Sequence, residues 1–425
     1  MAIVSGPPKD IRSPLDRFVD QFVFFKFWFR LNDRLAAWTP THQWLTLILF
    51  SFAALVSRLW AANHVSSYDF KSYVVVSDVV LDGGNPYETG RYKYAPTWFL
   101  ALAAIRTFAH DPQAFKIALV ILLTATDIGI AYLLMRHGYL AASGLFLLTP
   151  VTIAITGQHI QFDNVAVLLA LLATMVIPKV RKGPLIRHDF YTVLLLGASL
   201  SVKHIFIVFP LWLAMRQGSV KRAFFYACTP LVVFILTLVP PWLANGEAVV
   251  ESVFRYRSSD NAPFFRAVLP DEVVWGLTNR GLAAFLFLAI LVAVGLAYRR
   301  LPAFETGLVY AVSLVVFSSA VVDQYLPIPM AGIAVFFNIG FLYWLAIGSA
   351  HLFGNPDTLH VPLFTELRTH IAPYPDVVFQ DLLFPLLLGW LLMNIWIFRR
   401  KAECGLISSD TGTCSPRRDF EQPRF

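Results

Sequence analysis

The chain has 425 residues, of which 57% are hydrophobic and only 14% are charged, and its mean hydropathy is +0.61. Soluble domains carry charge on about a quarter of their residues, so an assembly of soluble domains is excluded. The formal net charge of +7 is spread in short basic runs between apolar segments and lacks the aromatic-interleaved patch that nucleic acid requires, so no nucleic-acid partner is expected.

The apolar residues come in runs of about 18–22 without charge, the length that crosses about 30 Å of hydrocarbon. The predicted fold class is an all-α polytopic membrane protein. Cys228, Cys404 and Cys414 offer neither a disulfide framework nor metal-ligand spacing. The first long apolar run begins only near Trp44, too far in for a cleavable signal.

In chain order, Ser13-Pro14 with Asp16 reads as a helix start. The following mixture of Phe18, Phe22, Phe25, Trp28 and Phe29 with Arg17, Lys26, Arg30 and Arg34 predicts an amphipathic helix to about Ala37, within a cytoplasmic segment 1–41. A membrane domain over 42–400 follows, with a tail, 401–425, too polar to pack. Predicted crossings are Trp44–Ala61, Phe115–Met135, Gly138–Thr156, Phe162–Ile177, Ala223–Val239, Gly281–Tyr298, Thr306–Val322 and Phe379–Phe398. Tyr94–Phe108 is short, Phe190–Met215 is interrupted by Lys203 and His204, and Leu326–Phe353 by Asn338 and Gly340. The basic runs Arg136-His137, Lys179–Arg187, Arg216–Arg222, Arg299-Arg300 and Arg399–Lys401 are expected on the cytoplasmic side. That makes the two interrupted stretches hairpins, with roughly eleven to thirteen membrane segments in all.

This topology sends several polar stretches to the non-cytoplasmic side: a loop over 62–94 and on to Phe99, the Gly157–Asn164 turn, the Ser201–His204 turn, the Arg255–Arg280 loop and the Asp323-Gln324-Tyr325 turn. Polar groups at membrane depth persist where they line a cavity or pack in protein, so one site on that side is expected. Asp69, just beyond the first span, is placed to act as a general base; a solvated loop carboxylate is the plainer alternative. Gly83-Gly84-Asn85-Pro86-Tyr87 is a tight turn. Asn85, Tyr73, Tyr87 and Tyr94 are candidate substrate contacts, although such aromatics also serve as interfacial anchors. Asp127, inside an apolar span, must find a partner, either as a structural tie or as a polar relay. His159, Gln161, Asp163 and Asn164 exceed what a helix cap needs and suggest binding. Lys203 and His204, with Arg255, Arg257, Arg266 and Arg280, suit an anion such as phosphate. No phosphate-cradling glycine loop, dinucleotide fingerprint, zinc spacing or serine elbow is present, nor a soluble lobe for a nucleotide sugar, so a transferred group is expected to come from the membrane.

The stretch DFKSY…GGNPYE…YKYAPTWF over 69–99 is similar to the first lumenal loop of the catalytic subunit of GPI mannosyltransferase I. It also resembles that of the bacterial polyprenol-phosphate-mannose-dependent mannosyltransferases, both of the GT-C class of lipid-linked glycosyltransferases. HIQFD at His159–Asp163 resembles the His-Phe-Gln-Tyr-Asn stretch of the dolichyl-phosphate-glucose-dependent glucosyltransferases. Asp127, Lys203-His204 and Asp323-Gln324-Tyr325 have counterparts in these groups. The resemblance runs from about Trp44 to Tyr325 through short, degenerate motifs. It departs at Ser67, where the GPI enzyme has the first aspartate of an Asp-x-Asp pair; this weakens the case for a divalent metal and favours the bacterial type.

The resemblance implies a GT-C-like bundle and an inverting hexosyltransferase, mannose ahead of glucose. Its donor is a polyprenyl-phosphate sugar held with its tail among membrane lipids, and its acceptor is a lipid, glycan or protein. A bacterial inner membrane is implied ahead of the endoplasmic reticulum. Asp69 takes the acceptor proton, Lys203 with Arg255 or Arg257 faces the phosphate, and His159, Gln161 and Asp163 hold sugar hydroxyls. Asp323, Gln324 and Tyr325 complete the substrate contacts. A transporter or flippase is the alternative, and it predicts an internal repeat that is not evident.

Overall fold

The computed structural model describes residues 23–64, 67–177, 183–256, 262–279, 281–355 and 359–371, with 386, 389, 390 and 393. Among these every regular element is a helix. Helix α1 (Val23–Ala36) is the described part of the expected amphipathic segment. It does more than rest on a surface: the Trp28 indole donates to the Ala334 carbonyl at 3.0 Å, and Asn32 Oδ1 accepts the Ala141 and Ala142 amides at 3.1 and 3.3 Å. Thr39 caps helix α2 (Pro40–Ala62), with proline in the first turn where no amide partner is lost.

The stretch expected as a polar loop over 62–94 is instead helix α3 (Tyr68–Leu81) and the turn Pro86–Thr89, while the short stretch Tyr94–Phe108 forms helix α4 (Pro96–Phe108). Ser67 caps α3, whose Phe70, Tyr73, Val76 and Ser77 are buried along one side at helical spacing. Gly83, at φ 77°, follows the end of α3 and turns the chain, as the glycines led one to expect.

Helix α5 (Pro112–Arg136) is capped by Asp111. Helices α6 (Leu140–Leu148) and α7 (Pro150–Ile153) follow, and α7 runs on as a π-helical turn, Ala154–His159. Helix α8 (Asp163–Val176) precedes α9 (Arg187–Val202), α10 (Phe209–Ala214) and α11 (Val220–Val249). Then come α12 (Pro263–Val268), α13 (Asp271–Asn279), α14 (Leu282–Tyr298) and α15 (Ala303–Val316). Helices α16 (Met330–Val335), α17 (Ile339–Gly354) and α18 (Pro362–Ile371) follow.

Among the described residues, three helices are long and apolar enough to cross a membrane: α2, α5, and α11 with its extension to Phe254; the number is up to five if two bent pairs each count as one. One of these pairs is α6 with Pro150–His159, bent by 52°. Helix α8 has 14 residues, and at 1.5 Å per residue it reaches only about 21 Å. The exterior is apolar where a water-soluble helix would be polar. On α2, Leu45, Ile48, Leu49, Phe52 and Val56 face outward while Arg58 is fully buried. That inverted pattern is compatible with an all-α membrane protein.

Several boundaries differ from expectation. The first span holds a charge, Arg58. The span predicted to end at Val239 continues through Pro240-Pro241 and bends at Asn245. The span predicted to Val322 stops at Val316, leaving 317–322 irregular. Helix α9 breaks at Lys203, whose backbone is extended, and α17 starts at Asn338, whose Oδ1 accepts the Gly340 and Phe341 amides. Arg222, counted among the cytoplasmic cations, is buried in a two-pronged pair with Asp189, which also accepts from the Tyr226 hydroxyl at 2.6 Å. The predicted helix start at Ser13-Pro14, most of the span from Phe379, and the tail lie outside the described residues.

Candidate active site

Ser67 both caps α3, by accepting the Phe70 amide at 3.1 Å, and docks it, by donating to the His159 carbonyl at 3.0 Å. The residue that departs from the Asp-x-Asp pair therefore has a fixed local task. It sets Asp69 in the first helical turn, against two amides from distant parts of the chain. Gln161 and Gln324 each donate through Nε2 to Asp69 Oδ2, at 2.5 and 2.7 Å. The second oxygen, Oδ1, accepts no hydrogen bond from the described residues. Burial pushes the Asp69 carboxyl above its ordinary range; the Lys203 charge and the two amides oppose that shift without cancelling it.

Gln161 reaches Asp69 because of an unusual turn. After the π-helical turn, Ile160 sits in the left-handed region at φ 57° and ψ 45°, fully buried. A β-branched residue there costs about 1–3 kcal/mol and persists only where surrounding packing dictates it. The packing is visible at Gly157, where an added Cβ would lie 2.7 Å from the Arg58 carbonyl oxygen of α2. Gly157→Ala is expected to push the turn off α2 and cost about 1–3 kcal/mol. It should also lower any activity that depends on Gln161; a melting temperature and turnover equal to wild type would refute this.

Lys203 is buried and its ammonium donates to Asp163 Oδ1 at 2.6 Å. It also lies over the rings of Tyr94, Phe162 and Tyr325 at 5.0, 5.4 and 5.4 Å. Phe162 in turn stacks on Trp98 at 4.3 Å, and Tyr73 meets both rings edge-on. Tyr94 and Tyr325 thus hold a lysine. Beside this cage, the Tyr73 hydroxyl, Gln161 Oε1 and Asp163 Oδ2 are buried without a hydrogen-bond partner among the described residues. Such orphaned groups suit the hydroxyls of a polar ligand.

The remaining candidates divide. His159 has an unpartnered Nε2 and neighbours Asp323, which pairs with His351 Nε2 at 3.1 Å. Burial pushes the Asp323 carboxyl up, but the His351 hydrogen bond and the charges of His351 and His159 outweigh it and hold it low. Asn85 and Tyr87 build their own turn: Asn85 Oδ1 accepts the Tyr87 amide at 3.1 Å and the Tyr87 hydroxyl donates to the Tyr94 carbonyl at 2.9 Å. Asp127 accepts from Arg58 at 2.9 Å, Thr156 at 2.9 Å and Asn164 at 2.6 Å. It is a tie between helices. Asn164 gives its Nδ2 to Asp127, its Oδ1 has no partner among the described residues, and Phe162 rather than Asp163 or Asn164 stands at the cap of α8. Arg255 pairs with Glu251 at 2.5 Å with both side chains largely exposed, so it does not face the cage. Arg257 and Arg280 lie outside the described residues, and Arg266 is exposed.

A cavity of about 270 Å³ opens beside the cage, lined by Lys93, Tyr94, Lys203, His204, Tyr256 and Gln324 among others. The Lys203 break, the end of the α11 extension and the Asp323–Tyr325 turn line this cavity, and α3 and the turn before α8 join them at the cage through Asp69, Gln161, Gln324 and Asp163. Lys93 and Tyr256 were not anticipated. Lys93 was hidden between two tyrosines that read as membrane anchors. Compared with known proteins, the chain matches no protein-family model and no curated sequence.

Proposed function

We propose that the protein is a membrane-embedded inverting hexosyltransferase of the GT-C type, with mannose ahead of glucose as the sugar and polyprenyl phosphate as its carrier. Asp69 Oδ1 removes the proton of an acceptor hydroxyl. The acceptor oxygen bonds to the anomeric carbon from the face opposite the phosphate. The bond from that carbon to the phosphate oxygen breaks, and polyprenyl phosphate leaves with the electron pair. Gln161 Oε1, Asp163 Oδ2 and the Tyr73 hydroxyl are the groups offered to sugar hydroxyls. In this reading the bundle has roughly eleven to thirteen full or partial spans, and the site opens on the non-cytoplasmic side of a bacterial inner membrane.

The observation that carries the reading is the carboxylate of Asp69, clamped through one oxygen by Gln161 and Gln324 at the edge of the Lys203 cage. A carboxylate oriented in this way, with a raised pKa, is suited to proton abstraction. The test is purified protein with radiolabelled polyprenyl-phosphate mannose or glucose and extracted membrane lipids. A new glycosylated product supports transfer. Solute or lipid movement across vesicles with no product would replace it with a transporter.

A further inference from the structure

Two lysines line the cavity among the described residues, Lys93 and Lys203, and their surroundings differ. The Lys203 ammonium is bound to Asp163 at 2.6 Å and interacts with the charge of Asp69. One ammonium between two carboxylates leaves that cluster net negative whenever both acids are ionised. A dianionic phosphate brought against it is repelled overall. Ring faces also occupy the sides of the ammonium. Lys203 is therefore poorly placed to be the group that attracts an anion.

Lys93 is half-buried, lies 5.6 Å from the Tyr256 ring and forms no ion pair among the described residues. Its backbone is held on both sides. The buried Tyr92 hydroxyl donates to the Ala95 carbonyl at 2.5 Å and accepts the Phe99 amide at 3.1 Å, while Tyr94 is anchored through its carbonyl by Tyr87. A lysine on a pinned backbone loses less freedom on binding than one on a mobile loop. A second feature of the same cavity points to a ligand: His204 Nδ1 is buried and has no hydrogen-bond partner among the described residues. Together they offer one uncompensated positive charge and one neutral hydrogen-bonding nitrogen, the pairing that a phosphate monoester or diester headgroup accepts.

We infer that Lys93, with His204 Nδ1, forms the phosphate subsite of the cavity for a polyprenyl-phosphate headgroup, and that Lys203 positions Asp163 and Asp69 instead. The inference rests on the glycosyl-transfer reading above. The probe is farnesyl phosphate, with farnesol and inorganic phosphate as controls, titrated into full-length wild type, Lys93→Met and Lys93→Arg while tryptophan fluorescence is followed. Wild type is expected to bind farnesyl phosphate at least about tenfold more tightly than farnesol. Lys93→Met should erase that preference with farnesol affinity unchanged, and Lys93→Arg should keep most of it. Unchanged farnesol binding also shows that the variant is folded. Inorganic phosphate should compete only at far higher concentration; competition at equal concentration would assign the subsite to a free anion and overturn the lipid assignment. A Lys93→Met protein that retains the full preference overturns the inference and leaves the transfer reading standing. A wild type that never distinguishes farnesyl phosphate from farnesol overturns the polyprenyl-phosphate reading itself.

Discussion

Asp69→Asn is expected to lower sugar transfer by about 10²–10⁴-fold, the range that a positioned general base contributes, while the fold survives. Asparagine has the same shape, and its carbonyl oxygen can still accept from Gln161 and Gln324, which donate at 2.5 and 2.7 Å in the parent. The pH profile separates a base from a merely structural carboxylate. Burial raises the Asp69 carboxyl above its ordinary value of 3.8, and a base works only when deprotonated. The rate should therefore rise with pH and level off above that raised value, with the acid limb displaced upward from the usual carboxylate range. In Asp69→Asn the limb should vanish along with the activity.

Stability supplies an independent check of sign. A carboxyl whose folded pKa lies above its unfolded one contributes most below the unfolded pKa, and that contribution is lost as pH rises through the folded pKa. At neutral pH the ionised Asp69 thus costs stability, and Asp69→Asn should melt no lower than wild type. A variant that melts lower would contradict the raised carboxyl, and one that retains near-normal turnover in pure form would remove Asp69 from the base role.

The second large effect lies away from the cage. Asp127→Ala should cost about 3–5 kcal/mol, because it leaves a fully buried Arg58 guanidinium without its counter-charge. Thr156 and Asn164 also lose their shared acceptor. Arg58 further donates to the Leu147 carbonyl at 3.0 Å, so the loss is felt on α2, α5, α6 and the turn before α8 together. The paired change Arg58→Met with Asp127→Leu should recover most of that stability, since apolar side chains of similar size often replace a buried ion pair without penalty. Thermal unfolding in detergent measures both. If the double variant is stable yet has lost transfer beyond about tenfold, Asp127 is a relay after all; if Asp127→Ala alone melts like wild type, the tie is not holding the helices.

These two aspartates show where sequence reasoning reached and where it stopped. Position beside a predicted span marked Asp69 as interesting, yet nothing in DFKSY indicates that two glutamines, 92 and 255 residues further on, hold one of its oxygens. Asp127 had to have a partner because charge at that depth is costly, but the partner was overlooked. Arg58 stands near the end of an apolar run, where an arginine normally reaches the interface and draws no notice.

Composition and hydrophobic run length alone determined the helical class, the apolar exterior and the approximate starts of the long apolar helices, because these depend on contacts within one segment or between one segment and its solvent. Cap-and-proline pairs such as Thr39-Pro40 and Asp111-Pro112 are equally local. Only the tertiary structure decided that Ser67 docks α3 onto His159, that Lys203 is neutralised by Asp163, and that Lys93 lines the cavity with no ion-pair partner among the described residues. Each of those outcomes is set by which distant groups arrive within about 3 Å of one another. That proximity is a property of the packed bundle, and no run of neighbouring residues encodes it.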